Sequence, residues 1–156
     1  MGDTYDYCVS DEALVEFIDA FEQGTLARHL WTHAAHLAVG TWYLMSFPER
    51  IAVEKVRSGI LHYNECVGTA NTEDSGYHET LTLFWLGMIK AQVCDLVGTS
   101  RRLAVLRVIE QYGSRRDLFK EYYSFDVVRS REARGRWIRP DRIISPRGNK
   151  STLIDI

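Results

Sequence analysis

The sequence predicts an all-α fold, a single up-and-down bundle of about five to six helices with a C-terminal extension. Three observations carry that prediction. Apolar residues recur at helical spacing through most of the first 123 positions, strand-like alternation is scarce, and Pro48, Pro140 and Pro146 avoid the interiors of the proposed helices. At 156 residues and 46% hydrophobic content the chain can bury one good core and has no room for a second. Residues 1–123 are expected to form the bundle. Residues 124–156 are expected to be a basic extension packed on it, extended or disordered from about 142 onward.

The first helix is predicted over 11–23, where Ser10 can cap it, Leu14, Phe17, Ile18 and Phe21 form its apolar stripe, and Gly24 ends it. The second runs from Thr32, or slightly earlier, to about Met45. Pro48 suits a first helical turn, so the third starts there and continues through Val53, Val56, Ile60 and Tyr63 to a stop before Gly68. The fourth begins after Ser75 as cap and extends to about Leu96, closed by Gly98. Two more, near 101–112 and 114–123, complete the body. Short connections favour antiparallel neighbours, which puts the beginnings of the second and fourth helices at one end of the bundle.

Those two beginnings carry the histidines. In "LARHLWTHAAHLAVGTWYLM" His33, His36, Gly40 and Tyr43 share a helix face, joined by His29 if the helix starts a turn earlier. Side chains three apart sit about 5–6 Å apart at Cβ, close enough to share one ion or substrate. In "NTEDSGYHETLTLFWLG" His78 and Glu79 would occupy a first turn. Partial positive charge at helix starts disfavours imidazolium, and neutral imidazole is the form that ligates a metal or accepts a proton.

The preferred reading of this pattern is a metal site with His33, His36 and His78 as ligands and Glu79 as fourth ligand, general base or orienting group. Three imidazoles with a carboxylate suit a divalent transition metal, zinc or iron first, then copper or nickel, and do not suit calcium or magnesium. Adjacent residues on a helix point about 100° apart, so His78 and Glu79 cannot both aim straight at one ion. On this reading, removing His33 or His78 should release the metal and leave the helices intact. The alternatives are a metal-free polar pocket in which histidine acts as acid or base, a binding or interaction module whose histidines hydrogen-bond a ligand without turnover, and structural capping with buried hydrogen bonding. His62 at the end of the third helix and Glu22 at the end of the first lie near the same pole, more simply as a favourable cation and a solvated carboxylate. Trp31, Trp42 and Trp85 read most simply as core, although Trp31 and Trp85 could wall a pocket.

Other classes lose support. There is no GxGxxG, P-loop, GxSxG or CxxC pair. No apolar run approaches the roughly 20 residues of a membrane helix, so no membrane role is expected. Cys8, Cys66 and Cys94, odd in number and widely spaced, in a chain opening "MGDTYDYCVS" without an apolar leader, predict a reduced, cytoplasmic protein. Residues 1–123 hold 11 Lys/Arg against 17 Asp/Glu, and 124–156 hold 8 against 4. A nucleic-acid arm would fit that polarity, but the tail arginines alternate with Val127, Val128, Trp137 and Ile138. A tail laid over an acidic body explains the pattern at least as well, and nucleic acid is not the expected partner.

At "WTHAAHL" and "GYHET" the chain resembles an uncharacterised family of small bacterial helical proteins, and the late "SREARGRWIRPD" resembles that family's closing pattern. The resemblance spans most of residues 21–141. It imports no activity and implies only the grouping of His33, His36, His78 and Glu79, with Ser130, Arg134 and Asp141 as later members. Arg134 near a histidine-lined pole would favour an anionic ligand. The expectation is thus a metal-dependent enzyme acting on a small polar or anionic molecule, with Glu79 and Arg134 as catalytic groups, and with oligomeric state, homo-oligomer included, left open.

Overall fold

A computed structural model of the chain describes residues 5–142. Its regular elements are α1 (Asp11–Glu22), α2 (His33–Ser46), α3 (Glu49–Cys66), α4 (Glu79–Val93), α5 (Arg101–Tyr112) and the short α6 (Arg131–Gly135), with 3-10 turns at Asp6–Cys8, Arg28–Leu30 and Leu118–Glu121. The described residues thus form an all-α bundle. No helix among them is long and apolar enough to cross a membrane.

Local chemistry sets most helix starts. Ser10, Thr32, Ser100 and Ser130 each accept the amide of the residue three positions on, at 3.1–3.3 Å, closing one of the unpaired donors that a helix start leaves. Gly24, just past α1, has φ +70, and a Cβ there would lie 2.3 Å from Cys66 Sγ, so both conformation and space require glycine.

The bundle is organised around α2, which packs against α3, α4 and α5. Ala34, Ala35, Leu37, Ala38, Val39 and Tyr43 are all buried, as a helix apolar on every side must be. Gly40 lets α4 come close, since a Cβ there would sit 2.8 Å from Ile89 Cδ1. α1 rests on α3 through the stripe of Leu14, Phe17, Ile18 and Phe21, all buried.

The described part of the C-terminal segment folds back onto α4. Val127 and Ala133 are buried with Phe84, Phe119 and Tyr123 in a second apolar cluster. Arg131 makes two 2.8 Å bonds to the Asp74 carboxylate, so a tail cation meets an acidic loop of the body. Thr80 is the tightest fastening. Its buried hydroxyl donates to the Arg136 carbonyl (2.7 Å) and accepts the Ile138 amide (2.9 Å). Thr80→Val keeps the shape and removes both bonds, leaving a carbonyl and an amide without partners. A loss of about 2–3 kcal/mol in urea denaturation is the expected result. A loss below about 0.5 kcal/mol would show that water replaces the hydroxyl.

Four sequence expectations need correction. Ser75 does not cap α4: its carbonyl accepts the Thr72 amide in a tight turn, Gly76 follows at φ +75, and His78 itself is the cap. α4 ends at Val93, short of Leu96. The helix expected over 114–123 is reduced to the 3-10 turn, because the chain after Gly113 tightens into i→i+3 bonds, Arg115 to Tyr112 and Leu118 to Arg115. The expectation for the C-terminal extension named no helix there, and α6 forms in it. The stretch expected to be extended or disordered lies, apart from Arg142, outside the described residues. Arg142 itself is held, its amide donating to the Tyr122 carbonyl at 3.1 Å.

Candidate functional site

The start of α2, the end of α3 and the first half of α4 surround a cavity of about 560 Å³. His33, His36 and His78 all line it, so His78 comes to the same place as the α2 pair although more than 40 residues separate it from them in sequence. Trp31 and Trp85 are walls as well as core: the Trp31 ring lies 3.9 Å from the His36 ring, and the Trp85 ring meets His33 edge-on at 4.6 Å. Val56, Ile60, Leu86 and Ile89 supply the apolar lining.

Each histidine is oriented by the backbone, and the partner dictates the tautomer. A carbonyl only accepts, so the Nε2 of His33, 3.2 Å from the Tyr112 carbonyl, carries its proton and leaves Nδ1 open. The Nδ1 of His36 donates to the Thr32 carbonyl at 2.7 Å, leaving Nε2 open. His78 has no open nitrogen. Its Nε2 donates to the Val127 carbonyl at 2.9 Å, and its Nδ1 accepts the Leu81 amide at 3.3 Å as the α4 cap. His78 therefore joins α4 to the C-terminal segment.

All three rings are held neutral, and burial is the largest cause in each. His36 is exposed where it lines the cavity, and the protein atoms packed densely around it still lower its pKa to about 4, against the carbonyl of Thr32, which raises it, with His33 lowering it further. His33 is lowered by burial and by the charge of Arg116, and His78 by burial and Arg134, each opposed by its carbonyl partner. For a base whose folded pKa lies below the unfolded value, the unfolded chain binds the extra proton. The stability these rings allow is therefore complete above about pH 6.5 and declines as pH falls toward the folded value. Nitrogen-detected NMR should find His36 neutral and protonated at Nδ1 at pH 5. His36→Gln should flatten the stability profile between about pH 6.5 and 4. An unchanged slope would mean that His36 is hydrated like a surface residue.

The other candidates lie elsewhere. Glu79 does not line the cavity; its carboxylate takes two bonds from Arg57 on α3 (2.5 and 3.1 Å) and one from the Tyr77 hydroxyl (2.6 Å). Burial raises its pKa, but the Arg57 and Tyr77 bonds and the Arg57 charge together outweigh that and lower it. It fastens α4 to α3 and is not placed as a base. Arg134 is spent on the carbonyls of Gly76 and Tyr77 in the turn before α4 and of Val128 on its own segment, so it ties the two together. Ser130 caps α6, and Asp141 accepts the Ser124 amide and hydroxyl. These late members of the motif pattern thus hold the segment in place. His62 lies against Cys66 Sγ (3.6 Å), Glu22 accepts the Tyr43 hydroxyl (2.6 Å), and His29 borders a neighbouring cavity that shares His33 and Arg116.

The expected ligand set is not assembled. Among the described residues no group of three or more His, Cys, Asp and Glu side chains could hold a metal ion. Donor accounting gives the reason: His78 would have to release its helix cap or Val127, and Glu79 its arginine. Sequence reasoning missed Arg28 and Arg116, which line the cavity from loops where no periodicity marks a position. It also missed Tyr77 and Asn64. Asn64 Nδ2 donates to Asn71 Oδ1 (2.8 Å), which also accepts the Tyr77 amide, so the loop wall is built from α3. No protein-family model, no curated protein and no solved structure matches the chain, and the site is read from its own geometry.

Proposed function

We propose that the cavity binds a small organic molecule and that His33 and His36 act on it as neutral hydrogen-bonding and proton-transferring groups without a metal. One observation carries this reading. Both rings line the same aromatic-walled cavity, each is fixed by a backbone carbonyl through one nitrogen, and each keeps the other nitrogen unclaimed. A ring locked in one tautomer with an open lone pair is the arrangement that general acid–base work needs. The volume lies in the range of ordinary ligand sites.

The test has two parts. A mixed fragment set of acids, amides, alcohols and amines, screened by ligand-observed NMR, should yield binders that shift the His33 and His36 ring signals. That binding should be lost in the His33→Leu/His36→Leu double variant, which keeps its helical circular dichroism. Elemental analysis of untagged protein should find no stoichiometric transition metal. Zinc or iron at one per chain would restore the metal-dependent reading, and hits that leave both rings unshifted would move the site elsewhere.

A further inference from the structure

We infer that the ligand of this cavity is an amphipathic carboxylate, its charged head met by Arg28 and Arg116 and its apolar body lying along the tryptophan walls. The inference rests on the reading of the cavity as a small-molecule site.

Charge is the first argument. The cavity is lined by two arginines and by no aspartate or glutamate, in a body where acids outnumber bases by 17 to 11. The arginines elsewhere in the site region are committed, Arg57 to Glu79, Arg131 to Asp74 and Arg134 to backbone carbonyls. Those in the cavity are not. Arg28 makes one long bond to Thr69 Oγ1 (3.4 Å), and Arg116 has no hydrogen bond or ion pair with any described residue. Within the lining of this cavity the two guanidinium groups meet no carboxylate, although Arg116 also borders neighbouring hollows that hold Asp6, Glu16, Asp117 and Glu121, and paired guanidinium groups on an apolar, aromatic cavity favour an anion.

The headgroup follows from what the cavity lacks. Phosphate sites usually draw on free amides at a helix start. At each of the two helix starts here the cap takes one of the free amides, that of Ala35 by the Thr32 hydroxyl and that of Leu81 by the His78 ring, which leaves fewer for a phosphate. Side-chain guanidinium groups alone suit the planar, singly charged carboxylate.

The body follows from the walls. Trp31, Trp85, Tyr63 and Ile60 offer ring faces and aliphatic surface, which a small hydrophilic acid would leave wet. The open nitrogens of His33 and His36 are acceptors when neutral, so a hydroxyl on the ligand gains a partner and a second acceptor does not.

Matched pairs test this on the full chain: phenylacetate, 4-hydroxyphenylacetate and hexanoate, each against its primary amide, titrated by calorimetry and NMR at low and high salt. The acids should bind at least about ten-fold tighter than their amides at low salt, with the preference shrinking as salt rises. In the Arg28→Gln/Arg116→Gln double variant the acid-to-amide ratio should fall to within about two-fold while amide affinity holds. Both side chains are exposed, so the variant should fold. An acid and amide that bind equally, both shifting His33 and His36, would overturn the carboxylate assignment and leave the cavity's role standing. An acid preference that survives the double variant would overturn it too, by placing the anion away from these arginines. Binding by none of the six compounds would overturn the assignment, while the fragment screen would still decide the cavity's role.

Discussion

His78→Ala is expected to cost about 2–4 kcal/mol of folding stability. The ring is buried, and its loss leaves two backbone groups unserved: the Leu81 amide at the start of α4 and the Val127 carbonyl on the C-terminal segment. A lost cap is worth about 1 kcal/mol, and a buried carbonyl deprived of its donor about 1–3 kcal/mol. His78→Asn should recover the cap alone, because asparagine can accept the Leu81 amide but is too short to replace the Nε2 donor. Urea denaturation of the three proteins measures both parts. Stability within about 0.5 kcal/mol of wild type in the alanine variant would mean that the latch role is wrong. The metal-ligand expectation foresees the opposite pattern, an intact fold and a lost ion.

A larger effect is expected at Phe21→Ala, about 3–5 kcal/mol. Phe21 is 0% exposed, stacked on Trp31 at 4.8 Å and tilted against Tyr63 at 5.8 Å, with no room toward Gly59, where a Cβ would meet its ring at 2.8 Å. Close packing on every side means that the hole cannot collapse without moving helices. The functional consequence runs through Trp31, which also meets the Tyr63 and His36 rings. Phe21→Ala should therefore also shift the His36 ring signal, and Phe21→Leu should restore much of the stability. A cost under about 1.5 kcal/mol, or an unmoved His36 signal, would show that Trp31 is held without Phe21.

The lesson of the candidate residues is one of range. Ser10 and Thr32 were readable as caps because a cap joins residues three apart, and the stripe of α1 was readable because burial repeats with the helical period. Ser75 failed as a cap for a reason that the string "NTEDSGYHET" does not carry: Asn64, on another helix, holds Asn71 and with it the turn that delays α4 to His78. Glu79 looks like a base when it sits beside His78 in sequence. It ceases to look so once Arg57, 22 positions earlier, is found at 2.5 Å. Arg134 likewise reads as an anion ligand until the carbonyls of Gly76 and Tyr77 occupy it.

By itself the sequence determined the all-α class, the extents of α1, α2, α3 and α5 to within a few residues, and the candidacy of His33, His36 and His78. Each of these depends on spacing along one helix or on composition. Only the tertiary structure decided which nitrogens of His33 and His78 are taken, since that turns on the distant carbonyls of Tyr112 and Val127, whereas the Thr32 carbonyl that holds His36 lies at the same helix start. The tertiary structure alone put Arg28 and Arg116 in the lining of the cavity and left Glu79 and Arg134 out of it, each held by other partners. Hydrogen bonds and ion pairs are satisfied by whichever group the fold brings within about 3 Å, and that distance has no counterpart in sequence separation.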